Sequence, residues 1–219
     1  MTSTEWTRYK QNRREQLAQL GLRIAEMPGF REAVLADMRI EAAYRGIPVG
    51  DREFSIRNIR LMMFLCWETD AFFALLLYRL RTSLRRRRVP VLPRLLDKLS
   101  MMIAQVCIGD PVIIHPGVLL PHGQVVIDGL TVIHSKVVVR PFAAIGLLEG
   151  NYQGPTIESG AMIGLGAKVL GPVTLGQNCK IGANAVVLAN VGANATAVGM
   201  PARTVKQENR NSAREKPPG

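Results

Sequence analysis

The residues best suited to acid–base chemistry at neutral pH are three histidines, His115, His122 and His134. An imidazole takes up and releases a proton near neutrality, so a histidine that faces a cleft, as His122 could, is able to act as a general base. Neutral imidazole also binds zinc, which His115 and His134 could do together, although no Cys–His or carboxylate–His spacing supports a metal at this pair. The alternative to a metal at His115 and His134 is a pair of solvent-facing histidines without a function, and an isolated histidine such as His122 could also have no function.

A six-residue repeat surrounds the histidines and runs from residue 108 to 198. A branched aliphatic residue returns at every sixth position, and small residues often follow it, as in IHPGVL, IHSKVV, IESGAM, IGLGAK and IGANAV. A helix repeats near 3.6 residues and a strand at two, so a period of six predicts a solenoid. Three sixes would make one triangular coil of 18 residues, and the leading aliphatics would stack into an interior column. A generic β-sandwich has no reason to keep this phase.

Two interruptions divide the repeat. The segment LPHGQVV at 120–126 holds seven residues where six are expected, which predicts a bulge that can aim His122 toward a cleft. The segment 147–156 keeps the phase without the aliphatic pattern and is predicted to leave the wall as a loop. His115 and His134 each occupy the second place of a six, so we expect them to stack on one face about 4.8 Å apart.

The chain before the repeat has helical spacing. Apolar residues predict helix over 5–45 with a break at Pro28-Gly29, a second helix capped by Ser55, and a third capped by Thr69 or Asp70. A fourth is expected at 94–106, after turns at Pro90 and Pro93. The most apolar run, AFFALLLY at 71–78, is too short to span a bilayer and predicts a buried helix. We therefore expect an α+β protein with a helical cap (1–106), a solenoid (107–206) and a disordered tail (207–219).

The composition of the chain limits which binding partners and which cellular compartment we expect. Of the net charge of +11, most comes from residues 79–98, which hold eight cations against one Asp. No aromatic interleaving or nucleic-acid motif accompanies them, so solvated helix ends and a subunit or coenzyme contact are favoured over nucleic acid or anionic lipid. Three dispersed cysteines suit a reducing compartment, with Cys179 a buried thiol. The N-terminus has no secretory pattern, and we expect a cytoplasmic protein without a membrane span.

Three segments carry a resemblance to a known family. IHPG at 114–117, HGQVVI at 122–127 and the run from 155 to 203, which ends in GMPAR, resemble the bacterial serine acetyltransferases within the hexapeptide-repeat acyltransferases. The resemblance covers roughly residues 55–206. It implies a left-handed parallel β-helix, a homotrimer or dimer of trimers, and acetyl-CoA bound in the seam between neighbouring solenoids. It also raises the possibility of a partner enzyme bound through the C-terminal tail.

The resemblance assigns roles to individual residues. His122 matches the histidine that takes the proton from the acceptor hydroxyl, which then attacks the thioester carbonyl, and this chemistry requires no metal. The positions that match coenzyme contacts are Gly164, Gly166, Ala167, Lys168, Gly182, Ala183 and Arg203. Lys180 and Lys206 are further cations that could meet phosphates or could equally be solvated.

The chain departs from the family pattern around the acceptor. The family has an acidic residue before the base where this chain has Pro121, a second histidine where it has Gly154, and an orienting aspartate that falls on Cys107. Asp128, Glu149, Glu158 or Arg140 could replace the orienting group. Three alternatives therefore accompany transfer to L-serine or a similar small acceptor: transfer to a sugar or polysaccharide precursor, a catalytically silent scaffold, and a metal site at His115 and His134.

Overall fold

A computed structural model describes residues 29–49, 55–110, 112–149 and 153–205 of the chain. Within these residues, four helices precede fourteen strands. The helical segment predicted before residue 28, the tail 207–219 and Lys206 lie outside the described residues. The order of elements is the predicted one, a helical cap followed by a left-handed parallel β-helix.

The cap consists of α1 (Phe30–Tyr44), α2 (Ile56–Glu68), α3 (Asp70–Arg86) and α4 (Leu92–Ala104). Ser55 caps α2 as predicted, because its side chain accepts a hydrogen bond from the Asn58 amide at 3.4 Å. The hydroxyl of Thr69 does not cap α3, because it turns back and donates to the Leu65 carbonyl at 2.9 Å. The apolar run at 71–78 is buried in α3, as predicted.

The bounds of α4 differ from the predicted 94–106. Pro93 lies inside the first turn, where the missing amide of proline costs no helical hydrogen bond. At the other end Gln105 adopts a left-handed conformation with φ of 53°, and Val106 already belongs to the first strand. The chain therefore passes from helix to solenoid within two residues.

Fourteen short strands form the three walls of the solenoid. The first wall contains β1 (Val106–Ile108), β3 (Val125–Ile127), β6 (Ala144–Gly146), β9 (Lys168–Leu170) and β12 (Val186–Val187). The second wall contains β2 (Ile113–Ile114), β4 (Val132–Ile133), β7 (Thr156–Ile157) and β10 (Thr174–Leu175). The third wall contains β5 (Val138–Val139), β8 (Met162–Ile163), β11 (Lys180–Ile181), β13 (Thr196–Gly199) and β14 (Ala202–Val205). All pairs are parallel except β13 with β14, which closes the third wall.

The period of six correctly identified the core. The leading residue of each six is buried, and together these residues form one column: Ile108, Ile114, Leu120, Ile127, Ile133, Val139, Ile145, Ile157, Ile163, Val169, Leu175, Ile181 and Val187. Cys179 is also fully buried beside this column, as predicted. Both interruptions are evident in the strand register. Ile108 pairs with Ile127, which is 19 residues later and so one residue more than an 18-residue coil. Ile133 pairs with Ile157, which is 24 residues later and so six residues more than a coil.

Two arginines that the sequence places in a basic patch are buried and join the cap to the first coil. Arg79 donates to both carboxylate oxygens of Asp37 on α1, at 2.8 and 3.2 Å, and to the carbonyls of Ile114 and His115. Arg81 binds Asp97 of α4 and donates to the Ile108 carbonyl at 2.7 Å. The prediction that this patch is solvated charge is thus wrong for Arg79 and Arg81, because both side chains are buried against partners in other elements.

No single helix among the described residues has both the length and the apolar composition to cross a bilayer. The pair formed by α2 and α3 passes that test together, but it is bent by 119°.

Candidate active site

His122 lies at the corner where the third wall turns into the first. We call this edge of the prism the base corner; its residues are 121–124, 140–142, 164–167 and 182–184 on successive coils. Backbone hydrogen bonds run along it from coil to coil: Phe142 N to Gln124 O at 2.8 Å, Gly166 N to Pro141 O at 2.9 Å, and Asn184 N to Leu165 O at 2.8 Å. At about 4.8 Å per coil the four coils span about 14 Å.

The extra residue predicted as a bulge is taken up in this corner rather than within a strand. Gln124 adopts a φ of 63° and donates its amide to the carbonyl of Ala104, the last residue of α4, at 2.9 Å. Gly123 packs so closely on α4 that a Cβ at this position would lie 1.9 Å from the same carbonyl oxygen. The end of α4 therefore fixes the turn, and the His122 side chain is left exposed beside it.

The coenzyme residues expected from the sequence line the base corner or the strands that border it. Ala183, Lys168 and Arg203 are exposed, and Gly164 and Gly182 are half-buried. Gly166 and Ala167 are buried, so they would shape the corner rather than offer a side chain. Lys168 Nζ donates to the Gly166 carbonyl at 3.0 Å. Arg203 pairs in register with Val198, whose side chain packs over Gly182.

His115 and His134 occupy a different corner, between the second and third walls. Their rings stack with centroids 4.7 Å apart and planes 7° apart, which confirms the predicted stack. Burial lowers the pKa of His115, and the charges of His134 and Arg79 lower it further. His134 Nε2 lies 4.0 Å from Glu158 Oε2. Across the described ranges, no group of three or more His, Cys, Asp or Glu side chains is placed to hold a metal ion.

Gly154 lies at the remaining corner, between the first and second walls, where the resemblance expects a second histidine. A Cβ at this position would lie 2.3 Å from Thr131 Oγ1 and 2.9 Å from the Thr131 amide nitrogen. Thr131 cannot easily move, because it is fully buried and its hydroxyl donates to the Asp128 carbonyl at 2.6 Å. A histidine at position 154 therefore does not fit this backbone, and Pro121, at the acidic position, is buried.

Four groups were predicted as replacements for the orienting aspartate, and only Arg140 lies at the base corner. The Asp128 carboxylate accepts from the Gly129 amide at 2.7 Å, and Glu158 faces His134. Glu149 is exposed at the start of the 147–156 segment. None of these four groups, all of which lie in the described part of the chain, forms a hydrogen bond with the His122 side chain.

The sequence interpretation missed Glu41 of α1. Its carboxylate is buried, and Arg45, one helical turn later, donates to its Oε1 from Nε at 2.8 Å. Burial raises the pKa of Glu41, while the Arg45 hydrogen bond and charge, and then the charge of His122, lower it. Glu41 follows Asp37 by four residues and so lies on the same inward face of α1, a helical spacing that was the available signal.

Three comparisons relate the chain to proteins of known type. A family model described as bacterial transferase hexapeptide (six repeats) matches residues 154–189. A serine acetyltransferase of Synechococcus elongatus is 32% identical over 177 residues, which is 80% of this chain and 68% of that protein. A soybean serine acetyltransferase complexed with serine is 28% identical with a TM-score of 0.68, over 83% of this chain and 71% of that one. A serine acetyltransferase in complex with CoA has 26% identity and a TM-score of 0.68, over 88% and 75% of the two chains.

Proposed function

The chain belongs to the serine acetyltransferase family, and we propose that it transfers the acetyl group of acetyl-CoA to the hydroxyl of L-serine or a similar small acceptor. The proposal assigns His122 as the general base. The coenzyme would lie along the base corner against Gly164, Gly166, Ala167, Lys168, Gly182, Ala183 and Arg203.

One observation carries the proposal: the exposed imidazole and the coenzyme candidates share one edge of the prism. His122 stands on the first coil, and the candidates occupy the third and fourth coils and the closing hairpin. An elongated ligand lying along this edge would place one end beside His122 and its charged end near the exposed side chains of Lys168 and Arg203. These cations suit phosphate groups, and the half-buried glycines allow close approach to the backbone. The residues present therefore fit the co-substrate.

The chemistry follows from a neutral imidazole. His122 accepts the proton of the acceptor hydroxyl as the oxygen attacks the thioester carbonyl, forming a tetrahedral oxyanion. Collapse of this intermediate breaks the carbon–sulfur bond, and the imidazolium returns the proton to the departing thiolate. The products are the O-acetyl ester and free CoA, and His122 is again neutral.

The test is release of free thiol from acetyl-CoA in the presence of L-serine and a panel of other hydroxyl compounds. We expect turnover with at least one acceptor and none when the acceptor is omitted. Absence of turnover with every acceptor, together with absence of CoA binding, would contradict the proposal and favour a silent scaffold.

A second candidate acceptor, a sugar or polysaccharide precursor, is favoured by Pro121 and Gly154. These positions carry no charge with which to bind an amino-acid carboxylate or ammonium group, and Thr131 occupies the space that a side chain at 154 would need. Comparison of kcat/KM for L-serine with that for sugars decides between the two acceptor classes. A higher value for serine than for any sugar would reject the second candidate.

We also propose that the protein works as a homotrimer or a dimer of trimers in the cytoplasm. Exposed apolar side chains beside the base corner, Val126, Phe142 and Leu165, support a seam with a neighbouring solenoid. The free thiols Cys66, Cys107 and Cys179 suit a reducing compartment. A partner enzyme bound through the C-terminal tail stays a proposal, since the tail lies outside the described residues.

A further inference from the structure

Arg140 lies next to His122 along the base corner, on the following coil. The bridge between Leu119 and Val138 joins the two coils just before these residues. Just after them, the backbone amide two residues beyond Arg140 donates to the carbonyl two residues beyond His122, at 2.8 Å. Because both residues lie between these two contacts, their backbones are separated by one coil spacing, about 4.8 Å. Both side chains are exposed, so they share the same open edge of the solenoid.

The backbone of Arg140 is held in place while its side chain has room. Its amide donates to the Ile163 carbonyl on the third coil at 3.1 Å. Pro141 follows directly, and a residue before proline is restricted to an extended backbone. Gly164 occupies the matching place on the third coil, one residue after Ile163, and has no side chain to fill the space beside Arg140. A long cationic side chain therefore starts from a fixed point next to open space.

The chain provides no counter-charge for the Arg140 guanidinium. It forms no hydrogen bond or ion pair with any residue that the structure describes, whereas the buried Arg79 and Arg81 each bind a carboxylate. None of the residues that make up the base corner is Asp or Glu, and Glu158 faces His134 at another corner. A guanidinium only donates hydrogen bonds, so Arg140 cannot act as the missing aspartate, which would accept one from the imidazole. Its chemistry suits an anion from outside the chain.

We propose that Arg140 binds an anionic group of the acceptor, a carboxylate or a phosphate, and so selects acceptors that carry such a group near the reacting hydroxyl. The inference rests on the proposed function. The acceptor must lie between His122 on the first coil and the coenzyme candidates that begin on the third, and Arg140 stands on the coil between them. Its planar guanidinium can form two parallel hydrogen bonds with either anionic group. The coenzyme phosphates are assigned to Lys168 and Arg203, farther from His122 along the edge.

Calorimetric titration of the protein with two pairs of hydroxyl compounds, in the presence of CoA, tests the proposal. L-Serine and L-serinamide differ in the carboxylate, and glycerol 3-phosphate and glycerol differ in the phosphate. We expect the anionic member of at least one pair to bind the wild type about tenfold more tightly than its partner, and Arg140→Gln to lose this preference. The pair that shows the preference distinguishes a carboxylate from a phosphate. Equal binding within both pairs, or a preference that survives in Arg140→Gln, would overturn the proposal.

Arg94→Gln is the matched control, because it removes an exposed arginine of α4 outside the base corner and should leave the preference unchanged. In the thiol-release assay, Arg140→Gln should raise KM for the anionic acceptor about tenfold and leave KM for acetyl-CoA unchanged. A rise in KM for acetyl-CoA alone would assign Arg140 to the coenzyme and reject the proposal. The binding measurement does not require turnover, so it separates failure of this inference from failure of the proposed function.

Discussion

His115 and His134 stack ring on ring, with their centroids 4.7 Å apart, at a corner that does not contain His122. The distance between the two rings equals one coil spacing. The corner at 121–124 therefore accommodates the extra residue without shifting the register of the following coil. Two imidazoles held this closely cannot both carry a charge without cost, which gives this corner a pH dependence of its own.

We expect acidification to destabilise the fold partly through His115. Its folded pKa lies below the ordinary value of 6.5, so the unfolded chain binds more protons as the pH falls through 6.5. The stabilisation is present above 6.5 and is lost below it. His115→Gln should therefore show a smaller fall in Tm between pH 7.5 and 5.5 than the wild type. Identical pH dependence in the two proteins would show that His115 does not contribute.

The buried ion pair between Asp37 on α1 and Arg79 on α3, which holds both cap helices against the first coil, should contribute strongly to stability. Asp37→Asn leaves the buried Arg79 guanidinium without its counter-charge, and we expect a loss of about 3–5 kcal/mol in the free energy of unfolding. Urea unfolding measures it. The matched control is Arg85→Gln, which removes the more exposed ion pairs with Asp110 and Asp97 and should cost less than about 1 kcal/mol. Equal effects of the two variants would show that burial of the Arg79 pair is unimportant.

Close packing against Thr131 leaves no space for a side chain at Gly154. Gly154→Ala would push a methyl group against Thr131, and we expect a loss of about 1–3 kcal/mol in the free energy of unfolding. Gly192→Ala is the matched control, because a Cβ there meets nothing within 4 Å, and its cost should stay below about 0.5 kcal/mol. A Gly154→Ala protein as stable as the wild type would reopen this position to the histidine of the family pattern.

The cations beside the base corner should affect the binding of the coenzyme and not the binding of the acceptor. Arg203→Ala removes a charge that we assign to a phosphate group, so KM for acetyl-CoA should rise about tenfold while kcat changes little. Lys98→Ala on α4 is the control for loss of a surface cation away from this corner. A rise in KM for the acceptor alone would contradict the assignment of Arg203.

The solenoid was predictable from the sequence because its signal is local and repeated. Every buried lead from Ile108 to Val187 follows from the period of six, and the stack of His115 on His134 follows from counting one coil plus one residue. The partners across elements were not predictable, because nothing in the run of arginines near residue 80 shows that Arg79 meets Asp37, 42 positions earlier.

The assignment of His122 as the base is tested most directly by thiol release from acetyl-CoA in His122→Ala, measured beside His134→Ala. If His122 is the base, His122→Ala loses about 10²- to 10⁴-fold in kcat while it retains its fold and its binding of CoA. His134→Ala, at another corner, should stay within about twofold of the wild type. A His122→Ala protein that turns over at the wild-type rate would show that His122 is not the base, and no other histidine lies at the base corner to take its place.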